Sequence, residues 1–351
     1  MAGWNGSRTD RAVALQRFGM GWVKFLVSLA LTLLGLTAIT FVLGRVMPLD
    51  PVIAIVGERA NAETYNRVRQ ELHLDDPIIV QYGIYLKNLM TGDLGTSRLT
   101  NQPIVSDLFR FFPATLELAT IGIIMGVGIG VPLGVWSAVR RGEAVDQAIR
   151  LVILVGYSAP VFWVGILALM LFYMKLGWVA GPGRLDFIYE GMVEPRTNMI
   201  LIDTALTGQW NIFRNALSHI VLPATLIGIY SIAYISRMTR SFMIEQLPQD
   251  YITTARVKGL SERAVIWKHA FRNTSIQLIT VVILAYASLL EGAILVETIF
   301  AWPGIGLYVT NSLFNADINA VLGGTLMIGT AFVSLNILSD QLYRLMDPRS
   351  S

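Results

Sequence analysis

DYITTARVKGLSERAVIWKHAFRN, residues 250–273, crowds Arg256, Lys258, Arg263, Lys268 and Arg272 around a single glycine, Gly259, between two strongly apolar runs. The fold turns on that contrast. Residues 216–236 before it and 274–300 after it are each long enough to cross a hydrocarbon core of about 30 Å, because a helix rises about 1.5 Å per residue. The basic segment is then a loop at a membrane surface.

Working outward, comparable runs occupy 25–44, 113–139, 151–174 and 318–342, and the first contains no charge and no proline. The whole chain agrees: 54% of its 351 residues are hydrophobic and 15% charged, with a mean hydropathy of +0.57, where soluble domains carry about 25% charge. Six crossings put both termini on one side. The segments on that side (1–24, 139–150, 237–273 and 340–351) hold 16 Lys+Arg against 8 Asp+Glu, and the remainder holds 11 against 16. Basic loops favour the cytoplasm, so both termini are assigned there. The first run exceeds the 7–15 apolar residues typical of a signal peptide and reads as an anchor.

The expected architecture is therefore an all-α membrane protein with six transmembrane helices. A cytoplasmic segment 1–24 leads into the first span, 25–44, and an exterior cap, 45–112. A five-helix core, 113–342, follows with its cytoplasmic loop at 237–273, and then a cytoplasmic tail, 343–351. Within the cap, AETYNRVRQELHL has helical spacing, DDP breaks it, IIVQYGIYLKNLM offers a second short helix, and TGDLG turns the chain. A second exterior loop, about 175–214, carries the breaker GPG at 181–183 and no clear period.

Gly122, Gly126, Gly130 and Gly134 recur every fourth residue and clear one face of the second span for close helix approach, which ordinary packing within the chain accounts for. Pro132, Pro160 and Pro223 interrupt spans, as suits helices that bend or line a cavity.

Catalytic chemistry is thin. None of the five lysines follows a glycine, so the phosphate-binding pattern GxxxxGK[ST] is absent and no ATP site is expected. HExxH and GxSxG are absent, cysteine is absent, and His73, His219 and His269 are widely separated. No enzyme, cofactor, metal or nucleic-acid partner is expected of this chain. Glu117, Glu291 and Glu297 lie within or at the edge of spans, towards the exterior end. Hydrogen bonding at a helix end is the bland account of them and a place on a solute pathway the sharper one, with Glu291 the deepest.

In the basic loop, Ile252, Ala255 and Gly259 fall on one helix face, where the two small residues would admit another surface. Gly259 also suits a left-handed helix end, and Ser261 then caps the next helix, with Glu262 complementing its positive end. Helix, glycine hinge and helix is the reading. Composition alone leaves two uses open, lying on anionic lipid with Trp267 and Phe271 or docking on a partner protein.

Here a resemblance bears on the choice. QDYITTARVKGL with HAFRN, LDDPIIVQYGIYLKNLMTGDLGTS with PATLELA at 74–119, ETIFAWPGIGLYV at 297–309 and DQLYRLMDPR together resemble permease subunits of ATP-binding-cassette importers of the dipeptide/oligopeptide/nickel group. The general importer pattern, EAA with a glycine four residues after its last alanine, is met by Ala255 and Gly259, while Thr253 stands where its Glu would be. The resemblance implies a type I importer permease fold in a bacterial or archaeal inner membrane. It implies that Asp250, Tyr251, Thr253, Ala255, Arg256, Lys258, Gly259 and Leu260 couple to an ATPase. Two ATPase subunits that bind ATP and Mg, a second similar permease, an exterior solute-binding protein and membrane lipid would be its partners. A self-sufficient ion-coupled transporter with Glu291 or Glu297 as proton site is the rival, and a scaffold or sensor a third reading.

Overall fold

The computed structural model describes residues 27, 29–45, 51–57 and 59–346; the expected segment 1–24 and the end of the tail lie outside the described residues. Two compact units divide the chain after Asp93.

In the first unit, α1 (Leu29–Arg45) is the described part of the first expected span. Three helices follow, α2 (Pro51–Val56), α3 (Ala62–Glu71) and α4 (Ile78–Thr91). The cap sequence accounts for the last two. Asn61 accepts a hydrogen bond from the Thr64 amide at 2.8 Å, closing the start of α3, and Gly92 takes the left-handed conformation that ends α4. Buried hydroxyls on an apolar helix need partners. Those of Thr37 and Thr40 find Tyr82 at 2.9 Å and Tyr85 at 3.2 Å, and Phe41 packs between the two tyrosine rings at 5.3 and 5.6 Å. Side-chain contacts thus join α1 to α4.

The second unit contains α5 (Ile104–Val139), α6 (Ala144–Ser158), α7 (Val161–Lys175), α8 (Ile200–Leu206), α9 (Trp210–Gln246), α10 (Asp250–Val257), α11 (Glu262–Ile299), α12 (Ile305–Phe314) and α13 (Ile318–Met346). Four of these, α5, α9, α11 and α13, are long and apolar enough to cross a membrane. The expected crossing at 151–174 is instead a broken pair, α6 and α7, meeting at 91°. Pro160 supplies the reason, since it lacks an amide hydrogen and forces Ala159 out of the helical region, to φ −81° and ψ 140°. The Tyr230 hydroxyl on α9 donates to the carbonyl of Ala159 at 3.0 Å. Pro223, by contrast, sits inside an uninterrupted α9, and Pro132 follows a π-helical stretch, Gly126–Gly130.

The four glycines of α5 explain its contact with α9. A Cβ at Gly122 would stand 2.9 Å from Ile227 Cγ1, one at Gly130 2.9 Å from the Ile232 carbonyl, and one at Gly134 2.5 Å from the Ser236 carbonyl. At Gly130 and Gly134 backbone meets backbone, while at Gly122 and Gly126 the side chains of Ile227 and Ser231 fill the cleared space. Around this seam Leu118, Ile220, Leu290 and Trp302 form one buried cluster, and Val135, Ile235, Ile252, Val265 and Leu278 form another. The second cluster brings the basic loop into the core.

Candidate functional site

The loop is a short helix, a turn and the start of a long helix. Its turn is closed by the Leu260 amide donating to the Ala255 carbonyl at 3.3 Å and the Gly259 amide donating to Arg256 at 2.9 Å, with Gly259 at φ +77°. This pair of bonds is the glycine-dependent helix terminus that the sequence suggests. Ser261 Oγ then accepts from the Ala264 amide at 3.4 Å, and Arg256 Nε meets Glu262 Oε1 at 2.9 Å across the turn.

Burial revises the face argument. Ile252 and Ala255 point into the core against α5, α9 and α11, so the small face built on Ala255 is already occupied by the chain itself. Gly259 lies exposed with open space where a Cβ would be, and its need for glycine comes from backbone conformation and not from a close neighbour in this chain. The outward surface carries Asp250, Thr253, Arg256, Lys258, Leu260 and Val257, the last 83% exposed. Tyr251 is half-buried and donates to Gln246 Oε1 at 2.8 Å.

Two sequence motifs far apart in the chain meet as one buried lock. Glu297, fully buried near the end of α11, accepts from the Thr115 hydroxyl at 2.5 Å and from the amides of Gly306 and Leu307 at 2.7 and 3.1 Å. It caps the positive end of α12, and Thr115 in turn accepts from the Ile305 amide at 2.9 Å. Trp302 is wholly buried and donates its indole N–H to the Ala114 carbonyl at 2.9 Å. Gly304 is required because a Cβ there would strike the Glu297 carboxylate.

Glu117 is also spent. It pairs with Arg184 at 2.6 Å and accepts from the Leu201 amide at 2.7 Å, while the Arg184 guanidinium lies 5.4 Å over the Trp302 ring. Glu117 and Glu297 therefore hold loops and helix ends. Glu291 differs: it is exposed, and among the described residues it has neither a hydrogen-bond nor an ion-pair partner.

Sequence reasoning missed a buried clasp beside the loop. Asp146, at the start of α6, accepts from Arg240 Nε and Nη2 at 2.8 and 2.9 Å, from Ser137 at 2.6 Å and from the Gly142 amide at 3.0 Å. It ties the α5–α6 turn to α9. No local period pairs residues so far apart, and the only signal was a carboxylate and a guanidinium each at the polar end of an apolar run. A cavity of about 400 Å³ opens between the α6–α7 bend, α9 and α11, lined by Tyr157, Tyr230, Ser231, Ser288 and Gly292 among others.

Comparison with known proteins places this geometry. The model of a family described as binding-protein-dependent transport system inner membrane component matches residues 130–351, and that of the N-terminal part of such membrane components matches 20–119. The di/tripeptide transport system permease protein DppB of Pseudomonas aeruginosa is 41% identical over 91% of this chain and 94% of its own length. The probable D,D-dipeptide transport system permease protein DdpB of Escherichia coli K12 is 40% identical over 92% and 94%. Among solved structures, the inward-facing MetNI methionine ABC transporter aligns with a TM-score of 0.50 at 16% identity, covering 68% of this chain and 96% of that one, a likeness of fold alone.

Proposed function

The chain belongs to the family of binding-protein-dependent transport system inner membrane components, and from that premise we propose that it forms half of the pathway of an ATP-driven importer for peptides or a similar small solute. A second permease of the same kind completes the pathway. Two ATPase subunits carry ATP and Mg, and an exterior binding protein delivers the solute to the cap, 45–112, and the 175–214 loop. The chain crosses an inner membrane six times with both termini in the cytoplasm and has no ATPase site of its own.

One observation carries the coupling role: the loop is half inserted in the chain's own core and half bare. Ile252 and Val265 are fully buried against α5, α9 and α11, while Val257, Lys258 and Leu260 stand in the open. An apolar and basic outer surface mounted on a packed base behaves as a lever, because close-packed interiors pass on displacement with little loss. Force applied by an ATPase at Lys258 moves α9 and α11 together. The ion-coupled alternative loses one of its two candidate proton sites, because the oxygens of Glu297 are taken up by structural donors.

The test is the double variant Val257→Asp with Lys258→Glu, which alters only exposed side chains. Loss of ATPase co-purification and of solute uptake, with normal membrane insertion, is the expected result. Intact uptake with a normally assembled complex would refute coupling through this surface.

A further inference from the structure

His219 on α9 is a buried titratable group, 4% exposed, facing the segment 180–186 of the loop between α7 and α8. Its Nδ1 lies 2.9 Å from the carbonyl oxygen of Gly181, and its Nε2 lies 3.3 Å from Oδ1 of Asp186. Both neighbours are acceptors, since neither a carbonyl nor an ionised carboxylate has a proton to give. A neutral imidazole carries one N–H and one lone pair, so it satisfies one of these contacts and turns its lone pair on the other. Only the imidazolium, with two N–H donors, makes both.

The rest of the segment is held by amides and a hydroxyl, which keep their protons across the ordinary pH range. The Ala180 amide donates to Ser218 Oγ at 2.9 Å, the Asp186 amide donates to Asn215 Oδ1 at 2.9 Å, and Asn215 Nδ2 donates to Asp186 Oδ2. At the α11–α12 turn the Gly183 amide donates to the Phe300 carbonyl at 2.8 Å. Other charges on the surrounding elements are already spent. Arg184 is paired with Glu117 of α5, Asp203 of α8 accepts from the amides of Arg196 and Thr197, and Glu297 of α11 sits in its lock.

Protons reach the ring from outside. A cavity of about 390 Å³ is lined by Tyr173 of α7, Asp186, Asn215, Ser218 and His219 among others, polar and roomy enough for water. Asp186 is the only carboxylate among the described residues lining it, and its side chain is 57% exposed.

We propose that His219 and Asp186 form a proton-operated latch on the 175–214 loop. With His219 protonated, the segment 180–186 is held against α9; loss of that proton frees Asp186 and loosens the segment. Imidazole is the side chain whose charge ordinarily changes between about pH 5 and 8. The sign follows from which form makes both bonds: the hold is complete at low pH and is lost as pH rises. Under the importer reading, on which this consequence rests, the loop receives the binding protein, so solute delivery is strongest when the exterior is acid. The latch itself does not depend on that reading.

The complete complex in lipid nanodiscs, followed by hydrogen–deuterium exchange of residues 178–187 at about pH 5.5, 7 and 8.5 and corrected for intrinsic exchange rates, tests the latch. Proteoliposomes with the binding protein, supplied with a mixture of free dipeptides and tripeptides and read by mass spectrometry, test delivery at the same exterior pH values. Wild-type protection should fall about threefold from the lowest to the highest pH, the size expected for one partly exposed ionic hydrogen bond. His219→Gln, checked for assembly by co-purification of the ATPase subunits, has no proton to lose and should show no such step. Asp186→Asn should remove the step in the opposite sense, because its amide can donate to Nε2 of the neutral ring and keep the segment protected at high pH. A merely structural role would lower protection in both variants alike at every pH, and that result overturns the latch. So does a step that persists in His219→Gln, or a wild type without one. Uptake should follow protection in the wild type and stay flat in His219→Gln; a step in protection with pH-independent uptake overturns the link to delivery. A wild-type complex that takes up no peptide at any pH overturns the peptide importer reading, while exchange still decides the latch.

Discussion

The loop around Gly259 and the turn around Gly304 are made of the same materials: a glycine between two helices, with charged and aromatic side chains close by. Their fates are opposite. At the Gly304 turn the polar atoms are consumed, with Glu297 taking three donors and Trp302 giving its only one. At Gly259 the inner face is packed while Lys258, Arg263, Lys268 and Arg272 remain exposed. A charge in an apolar chain thus builds structure where its hydrogen bonds are spent inside, and is free for a partner where they are not.

The largest effect should come from breaking the lock. Glu297→Ala leaves the amides of Gly306 and Leu307 and the hydroxyl of Thr115 without their acceptor, each costing about 1–3 kcal/mol when buried. A loss of about 3–5 kcal/mol is expected in unfolding of the detergent-solubilised protein, with Glu297→Gln milder because one acceptor oxygen survives. Wild-type stability in the alanine variant would show that the turn does not depend on its carboxylate.

Next in size is Gly304→Ala, whose methyl group meets the Glu297 carboxylate. Overpacking of this kind costs about 1–3 kcal/mol. Unfolding measurements should place it below Glu297→Ala, and the double variant should be less than additive because the carboxylate it strikes is gone.

At the loop the comparison inverts. Gly259→Val imposes a left-handed backbone on a β-branched residue, costing about 1–2 kcal/mol locally, yet uptake should fall far more than stability does. Uptake and unfolding measured side by side decide it, and a proportional fall in both would make this loop another structural turn. Ala255→Glu belongs with the lock on this axis, since it drives a carboxylate into the second core cluster and should reduce folded yield before it reports on any partner.

The smallest effect is expected at Arg256→Ala. Its pair with Glu262 is substantially exposed on both sides, and such pairs contribute about 0.2–1 kcal/mol. Unfolding should scarcely change, and a stability loss above about 2 kcal/mol would mean that the pair, and not the glycine terminus, holds the turn.

Much of this was legible in the linear chain. Long apolar runs, a basic loop and the helix-ending glycine at 259 are local properties, fixed by residues a few positions apart and by the length needed to cross lipid. The cap helices Ala62–Glu71 and Ile78–Thr91 were legible for the same reason, through helical spacing, the DDP break between them and the TGDLG turn after them. The proline at 160 announced a break, but neither its 91° angle nor the Tyr230 hydroxyl on α9 that donates to the Ala159 carbonyl could be read from the local sequence. The inward turn of Ala255 was not legible, because helical spacing says which residues share a face and not what lies opposite it.

The sequence by itself determined that this is an all-helical membrane chain with a structured basic loop, since hydropathy, charge and turn chemistry act over short range. Only the tertiary structure decided which charges are spent. Glu297 meets Thr115, Glu117 meets Arg184 and Asp146 meets Arg240 across gaps of 182, 67 and 94 residues. In a medium without water a charge must find its partner wherever the fold brings one, and that meeting is a property of packing and not of sequence order.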